Sequence, residues 1–350
     1  MIDFILTFGK DAANSPFGIA LKEMGVEHRI FSDRISMKYH YRIWLLLVGW
    51  PRLALFSLKS AWRSLRSSPR PDAVVVSTHI EVLAYALTRL LLLRRKPRIY
   101  LLGFIYTQRS NRLVDKLRRL YFRIVFSMVD GIICFSRLEI ERYRALFPGA
   151  GDLFHYIPYG LHIDGYGEDA ACCAEPEGKH VFSAGRSGRD YRTLFEAFGK
   201  MDHPLHVACD SEAALSGCRT SPNITVLRDC YDDCYVEELR SAAVVAVSLE
   251  ASDISAGQMV LVQAMACCKP LVVTETPTIA DYLVDGSNAL LVPQGDAEAM
   301  RKAIEKLLED RELASRLARK AFDDYRTKHC MRAYVGNIVD TVMRCEQALA

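Results

Sequence analysis

The sequence has no apolar run long enough to span a bilayer. Its longest, from Ile43 to Leu58, is broken by Pro51 and Arg52 and falls short of the roughly 20 residues that a crossing helix needs. It has no paired Cys-x2-Cys units. Eleven cysteines is an odd number, and the spacings Cys172-Cys173, Cys230 to Cys234 and Cys267-Cys268 fit no zinc pattern. The expectation is reduced, cytosolic thiols acting mostly as small core residues. No Asp-x-Asp pair sits at a strand end, and Asp232-Asp233 reads as part of a Cys-rich loop, so neither a metal nor another cofactor is expected. The start, MIDFILTFGKD, has neither a basic n-region nor a small-residue cleavage site and does not read as a signal peptide. Acidic residues are absent between positions 34 and 70.

What is present divides unevenly. The chain has 350 residues, half of them hydrophobic and a quarter charged, which suits two folded domains and excludes a disordered chain. The net charge of +3 conceals a split: residues 1–150 carry a net +14 and the remainder a net −11. A basic half serves nucleic acid, an anionic membrane or an acidic substrate.

Short apolar runs alternate with amphipathic ones. In the first half, strands are expected at Ile2 to Phe8, Val26 to Phe31, Ala73 to Ser77, Arg98 to Leu102 and Gly131 to Phe135. Helices are expected at Ser15 to Met24, up to Leu93, and at Leu113 to Phe126. Residues 34–70 read as two helical pieces split at Pro51. A polar, acidic linker is expected at 164–178. The alternation then restarts with strands His180 to Ala184, Leu205 to Cys209, Ile224 to Leu227, Val244 to Leu249 and Pro270 to Val273. The helices there are Tyr191 to Lys200, Val236 to Ser241 and Gln258 to Cys267, with three more closing the chain. Such alternation means α/β architecture with parallel, doubly wound sheets. The boundaries drawn are 1–163, the linker, 179–328 and a terminal helix 329–350.

Two motifs carry chemistry. Gly185-Arg186-Ser-Gly-Arg189-Asp190 follows a strand and opens a helix. Glycine admits backbone N–H groups to an anion, and two arginines can grip a diphosphate bidentately. Ser255-Ala-Gly257-Gln258-Met259 also opens a helix, with Gln263 about two turns further on. The ordinary alternatives are a solvated turn and a buried, polar-capped helix.

Together these segments resemble the C-terminal domain of family-4-type, GT-B-fold retaining glycosyltransferases. The family pattern of Gly-Arg, Lys-Gly and Leu-x-x-Ala-Phe reads here as Gly185-Arg186, Arg189-Asp190 and Leu194-Phe-Glu-Ala197-Phe198, with Arg189 in place of the family lysine. Its Glu-x7-Glu-Ala-Met-Ala-x-Gly-x-Pro-Val-Val signature reads here as Ser255, then seven residues, then Gln263-Ala-Met-Ala-Cys-Cys-Lys-Pro270-Leu-Val-Val273. Ile279 to Pro293 matches the next block. The resemblance implies two Rossmann-like domains facing across a cleft and a nucleotide-sugar donor. It places the diphosphate on Arg186 and Arg189, phosphate and sugar on the N–H groups of Gly257 to Met259, ribose on Gln263, and the base near Arg228. Both signature glutamates are replaced, by Ser255 and Gln263. The alternative function is therefore a non-catalytic relative that binds nucleotide-sugar or scaffolds a partner transferase.

In the N-terminal half, His79 follows a strand and is a candidate at the acceptor, with Ser255 the other catalytic candidate. Gly9 and Lys10 end the first strand and are candidates for the donor phosphate. Arg42, Arg52, Lys59, Arg63 and Arg66 lie among Trp44, Trp50 and Trp62, a mixture suited to an anionic membrane surface. A solvated basic face is the plainer alternative. No recognition motif supports nucleic acid. The expected protein is a cytoplasmic glycosyltransferase, peripheral on the inner face of the cell membrane, with a lipid-linked or glycan acceptor.

Overall fold

Two wholly buried runs rich in valine, Ala73–Val76 and Ala242–Val247, lie inside two six-stranded parallel sheets. Continuous apolar runs of this kind belong to strands covered on both faces by helices. The computed structural model describes residues 1–7, 9, 11–33, 44–163, 178–250 and 255–348. It divides into two units, Met1–Ile157 with Val335–Ala350, and Pro158–Tyr334.

In the first unit the strands are β1 (Ile2–Leu6), β2 (His28–Ser32), β3 (Ala73–Val76), β4 (Arg98–Leu102), β5 (Gly131–Cys134) and β6 (Phe154–Tyr156). Their order is β2-β1-β3-β4-β5-β6. Helices Pro16–Glu23, Trp50–Arg66, His79–Leu91, Arg112–Phe126 and Arg137–Leu146 connect them. The expected break at Pro51 does not occur: a π-helical turn, Leu45–Gly49, passes directly into Trp50–Arg66 with Pro51 in its first turn. Proline fits there because that N–H lacks an intrahelical acceptor in any case. The helix Arg137–Leu146 and the three-residue β6 were not expected. One is polar with little apolar periodicity, and the other is too short to show any.

A buried ion pair anchors the sheet edge. Asp3 on β1 is fully buried and accepts from Arg29 on β2 at 2.8 and 3.0 Å. Ser64 of the Trp50 helix donates a 2.5 Å hydrogen bond to the same carboxylate. The end of the terminal helix, Met331–Ala348, packs on β4: Tyr100 donates to Glu346 at 2.9 Å, and Arg98 pairs with it at 3.4 Å.

In the second unit the strands are β7 (His180–Ala184), β8 (Leu205–Ala208), β9 (Ile224–Leu227), β10 (Ala242–Val247), β11 (Leu271–Thr274) and β12 (Leu290–Val292), in the order β12-β11-β10-β7-β8-β9. Helices Tyr191–Phe198, Glu212–Leu215, Asp232–Arg240, Gln258–Ala266, Ala297–Glu309 and Arg311–Asp324 cover it. Two expectations fail here. Asp232-Asp233 opens a helix rather than lying in a loop; acidic residues suit the positive end of a helix dipole. Cys230 and Cys234 are not reduced but form a disulfide, with Cα atoms 5.3 Å apart, a separation within the range that permits a bridge. Cys172, Cys173 and the expected linker up to residue 177 lie outside the described residues.

Candidate functional site

Each sheet reverses its strand order once, between β1 and β3 in the first unit and between β7 and β10 in the second. Loops leaving neighbouring strands at such a point run to opposite faces and open a crevice at the carboxyl ends.

In the second unit this crevice is built from the two motifs. Asp190 N donates to Ser248 O and Glu250 N to Gly188 O, both at 3.1 Å, and Arg189 forms a β-bridge with Leu249. Gly188 lies against Ala256, so that a Cβ on the glycine would sit 3.0 Å from the alanine Cβ. The glycine turn and the start of the Gln258 helix are thereby in contact. Gly257, at the helix N-cap, has φ +93°, a left-handed conformation that glycine adopts without cost. The N–H groups of Gln258 and Met259 follow it and have no acceptor inside the helix.

Arg189 is buried and turned back beneath its own loop. Its Nε donates to Ala184 O at 2.8 Å and its Nη1 to Ser187 O at 3.0 Å. The guanidinium fills the space where a side chain on Gly185 (φ +110°) would lie. No carboxylate is among its described ion-pair partners, and burial draws its pKa below the usual arginine value. Arg186 is exposed. The side-chain nitrogen of Gln258 and the hydroxyls of Ser183 and Ser248 are buried with no partner among the described residues. Buried polar atoms of this kind call for a ligand or water.

The other candidates are dispersed around this centre. Ser255 adjoins Ala256 with its hydroxyl oxygen enclosed. Gln263 is half-buried and accepts at Oε1 from the Tyr235 phenol at 2.8 Å; the Tyr235 ring meets Phe182 edge-on at 5.5 Å. Arg228 is an exposed group paired with Glu212 at 2.6 Å.

In the first unit the crevice is a cavity of about 520 Å³ lined by Thr7, Trp50, Ser77, Thr78, His79, Phe104, Arg118 and Phe122, among others. The His79 ring stands edge-on to Tyr121 and Phe122, both at 5.7 Å. Burial, and after it the Arg118 charge, lower its pKa, so the imidazole is neutral near pH 7. Thr7 and Ser77 hydroxyls lie 3.2 Å apart, and Ser77 donates to Glu81 from both its backbone N (2.7 Å) and its hydroxyl (3.2 Å). Glu81 is buried, with Oε1 unpartnered among the described residues, and burial pushes its pKa up to about 7. Sequence reasoning missed this carboxyl. Its signal was the Thr78-x-x-Glu81 capping box, which the structure forms. Gly9 follows β1; Lys10 and Arg42 lie outside the described residues.

Residues 214–324 match the family glycosyl transferases group 1. That stretch contains Arg228 and all of the Ser255–Gln263 motif. No curated protein has a significantly similar sequence. Among solved structures, the chain is similar to sucrose-phosphate synthase from Thermosynechococcus elongatus (TM-score 0.70, 15% identity, 99% of each chain covered). It is similar to α,α-trehalose 6-phosphate synthase from Burkholderia multivorans (0.65, 13%, 100% of this chain and 99% of the other). It is also similar to HepE from Anabaena in complex with UDP and glucose (0.63, 14%, 98% and 99%). The fold is GT-B: two Rossmann-like α/β units in one chain.

The basic surface of the first unit is also apolar. On the Trp50 helix, Leu55, Leu58 and Trp62 are exposed among Lys59, Arg63 and Arg66, and the Arg66 guanidinium lies 5.2 Å from the Trp62 ring centre. Arg52 is paired with Asp33 at 3.0 Å, Trp44 is half-buried, and Trp50 lines the cavity. The exposed apolar set extends, beyond the sequence reading, to Leu87, Leu90 and Leu91 and to Leu113, Leu117, Leu120 and Ile124. No helix among the described residues is long and apolar enough to cross a membrane.

Proposed function

We propose that the chain is a glycosyltransferase that moves a sugar from a nucleotide-sugar to a lipid-linked or glycan acceptor at an anionic membrane surface, with retention of configuration. The observation that carries the donor side is Arg189, a buried guanidinium with no carboxylate among its described ion-pair partners. A buried charge is costly unless an opposite charge joins it, and a diphosphate at the Gly185 turn would supply one. Arg186 and the N–H groups of Gln258 and Met259 add positive character on adjoining backbone, and Gln263 is assigned to the ribose. HepE has been solved with UDP and with UDP-glucose, which makes uridine nucleotides the first to test here. The proposal calls for no cofactor at the donor, since arginines and a helix terminus supply the charge.

The His79 cavity is assigned to the acceptor, and the exposed Leu, Trp and Arg surface of the same unit to the membrane. This would put the protein on the cytoplasmic face. Thermal shift across nucleoside diphosphates and their sugars tests the donor assignment, because a ligand bound only by the native state raises apparent stability. No shift with any nucleotide rejects it. Replacement of both signature glutamates favours a second reading, a relative that binds donor without transfer. Measured sugar transfer to a lipid extract rejects that reading.

A further inference from the structure

We propose a site for a divalent transition-metal ion of the zinc class at the amino end of the second sheet, formed by His180, His206 and Glu238. His180 begins β7, His206 lies on neighbouring β8, and Glu238 lies on the helix Asp232–Arg240. One carboxylate oxygen of Glu238 lies near both rings: His206 Nδ1 is 2.8 Å from Oε2, and His180 Nε2, which also meets the Glu238 backbone carbonyl at 3.2 Å, is 3.2 Å from it. The three ligand atoms all lie within 4.8 Å of one another. Around a tetrahedral zinc ion, with bonds near 2.0–2.2 Å, ligand atoms are about 3.3 Å apart, so small side-chain shifts suffice to close on an ion. The imidazoles are stacked, with centres 4.1 Å apart and planes inclined by 17°. Two imidazoles and one carboxylate form a donor set suited to zinc, cobalt or nickel and poor for calcium or magnesium.

The site is separate from the donor crevice. Ala184, where the glycine turn begins, lies four residues along β7, about 13 Å at strand rise. An ion here would tie the Glu238 helix to β7 and β8. The same helix carries Tyr235, three residues from Glu238 and thus on a neighbouring part of one face. The role inferred is a staple that fixes this helix, independent of whether the protein transfers sugar.

The test uses untagged full-length protein stripped with a chelator. Cobalt(II) uptake is followed by visible absorption and zinc binding by calorimetry. The expected result is one ion per chain, visible bands of tetrahedral cobalt without thiolate charge-transfer absorption, and a raised melting temperature with zinc. Glu238→Gln and His206→Ala should each weaken binding by at least about tenfold, since even residues that only support metal ligands cost that much. Glu238→Gln keeps size and hydrogen bonding, and decides the matter if His206→Ala fails to fold. Affinity equal in wild type and Glu238→Gln, thiolate bands on cobalt, or no saturable uptake would each overturn the site.

Discussion

The Tyr235 phenol donates a 2.8 Å hydrogen bond to Oε1 of Gln263, joining the helix after β9 to the helix that carries the proposed donor site. Gln263→Glu keeps an acceptor at this point, so nucleotide binding should persist, and turnover, if the protein transfers sugar, should be kept or raised. Tyr235→Phe removes one hydrogen bond, worth about 1 kcal/mol. It should weaken nucleoside-diphosphate binding about fivefold in calorimetry. Equal affinity of Tyr235→Phe and wild type removes Gln263 from the binding assignment.

Arg186 and Arg189 should separate binding from folding. Arg186 is exposed, so Arg186→Ala should weaken diphosphate binding by about 1.5–3 kcal/mol, the range for a charged hydrogen bond, with little change in melting temperature. Arg189 also serves the carbonyls of Ala184 and Ser187. Arg189→Ala should therefore lower both affinity and stability. Calorimetry and thermal unfolding on both variants check this; unchanged affinity in both rejects the diphosphate assignment.

Glu81 gives a pH dependence of definite sign. Its folded-state pKa of about 7 lies above its ordinary value of 4.5. The folded protein holds this proton between those values while the unfolded chain releases it. The contribution is fully present below pH 4.5 and is lost as pH rises through about 7, by up to about 3 kcal/mol. Glu81→Gln removes it. The melting temperature of the variant, relative to wild type, should rise from about pH 5 to about pH 8; a constant difference would mean that Glu81 ionises normally.

Membrane docking should depend on charge as well as apolar contact. Wild type should float with anionic liposomes at low salt and less at high salt, since exposed charges are screened over about 8 Å at physiological ionic strength. Reversal of Arg63 and Arg66 to Glu should reduce flotation. Substituting Leu117 and Leu120 with Ser tests the apolar part on the Arg112 helix. Equal binding to neutral and anionic vesicles, or no effect of either pair of changes, leaves an ordinary solvated surface.

Local patterns in the sequence determined a great deal here. Runs such as Ala73–Val76 and Ala242–Val247 can satisfy their apolar side chains only as buried parallel strands, and the alternation with helices fixes a doubly wound class. The glycine turn at 185 and the helix opening at 257 were also legible, since each is a contiguous motif with a backbone requirement. Tertiary structure decided what lies beside what. The contact between Gly188 and Ala256, the inward turn of Arg189 and the joining of Tyr235 to Gln263 depend on strand order, which brings β7 next to β10. Glu81 does not stand out in the sequence because its capping signal is common; only its burial in the fold raises its pKa. His180, His206 and Glu238 lie on three separate elements with no shared spacing, so pairing of β7 with β8 and the packing of one helix had to bring them together.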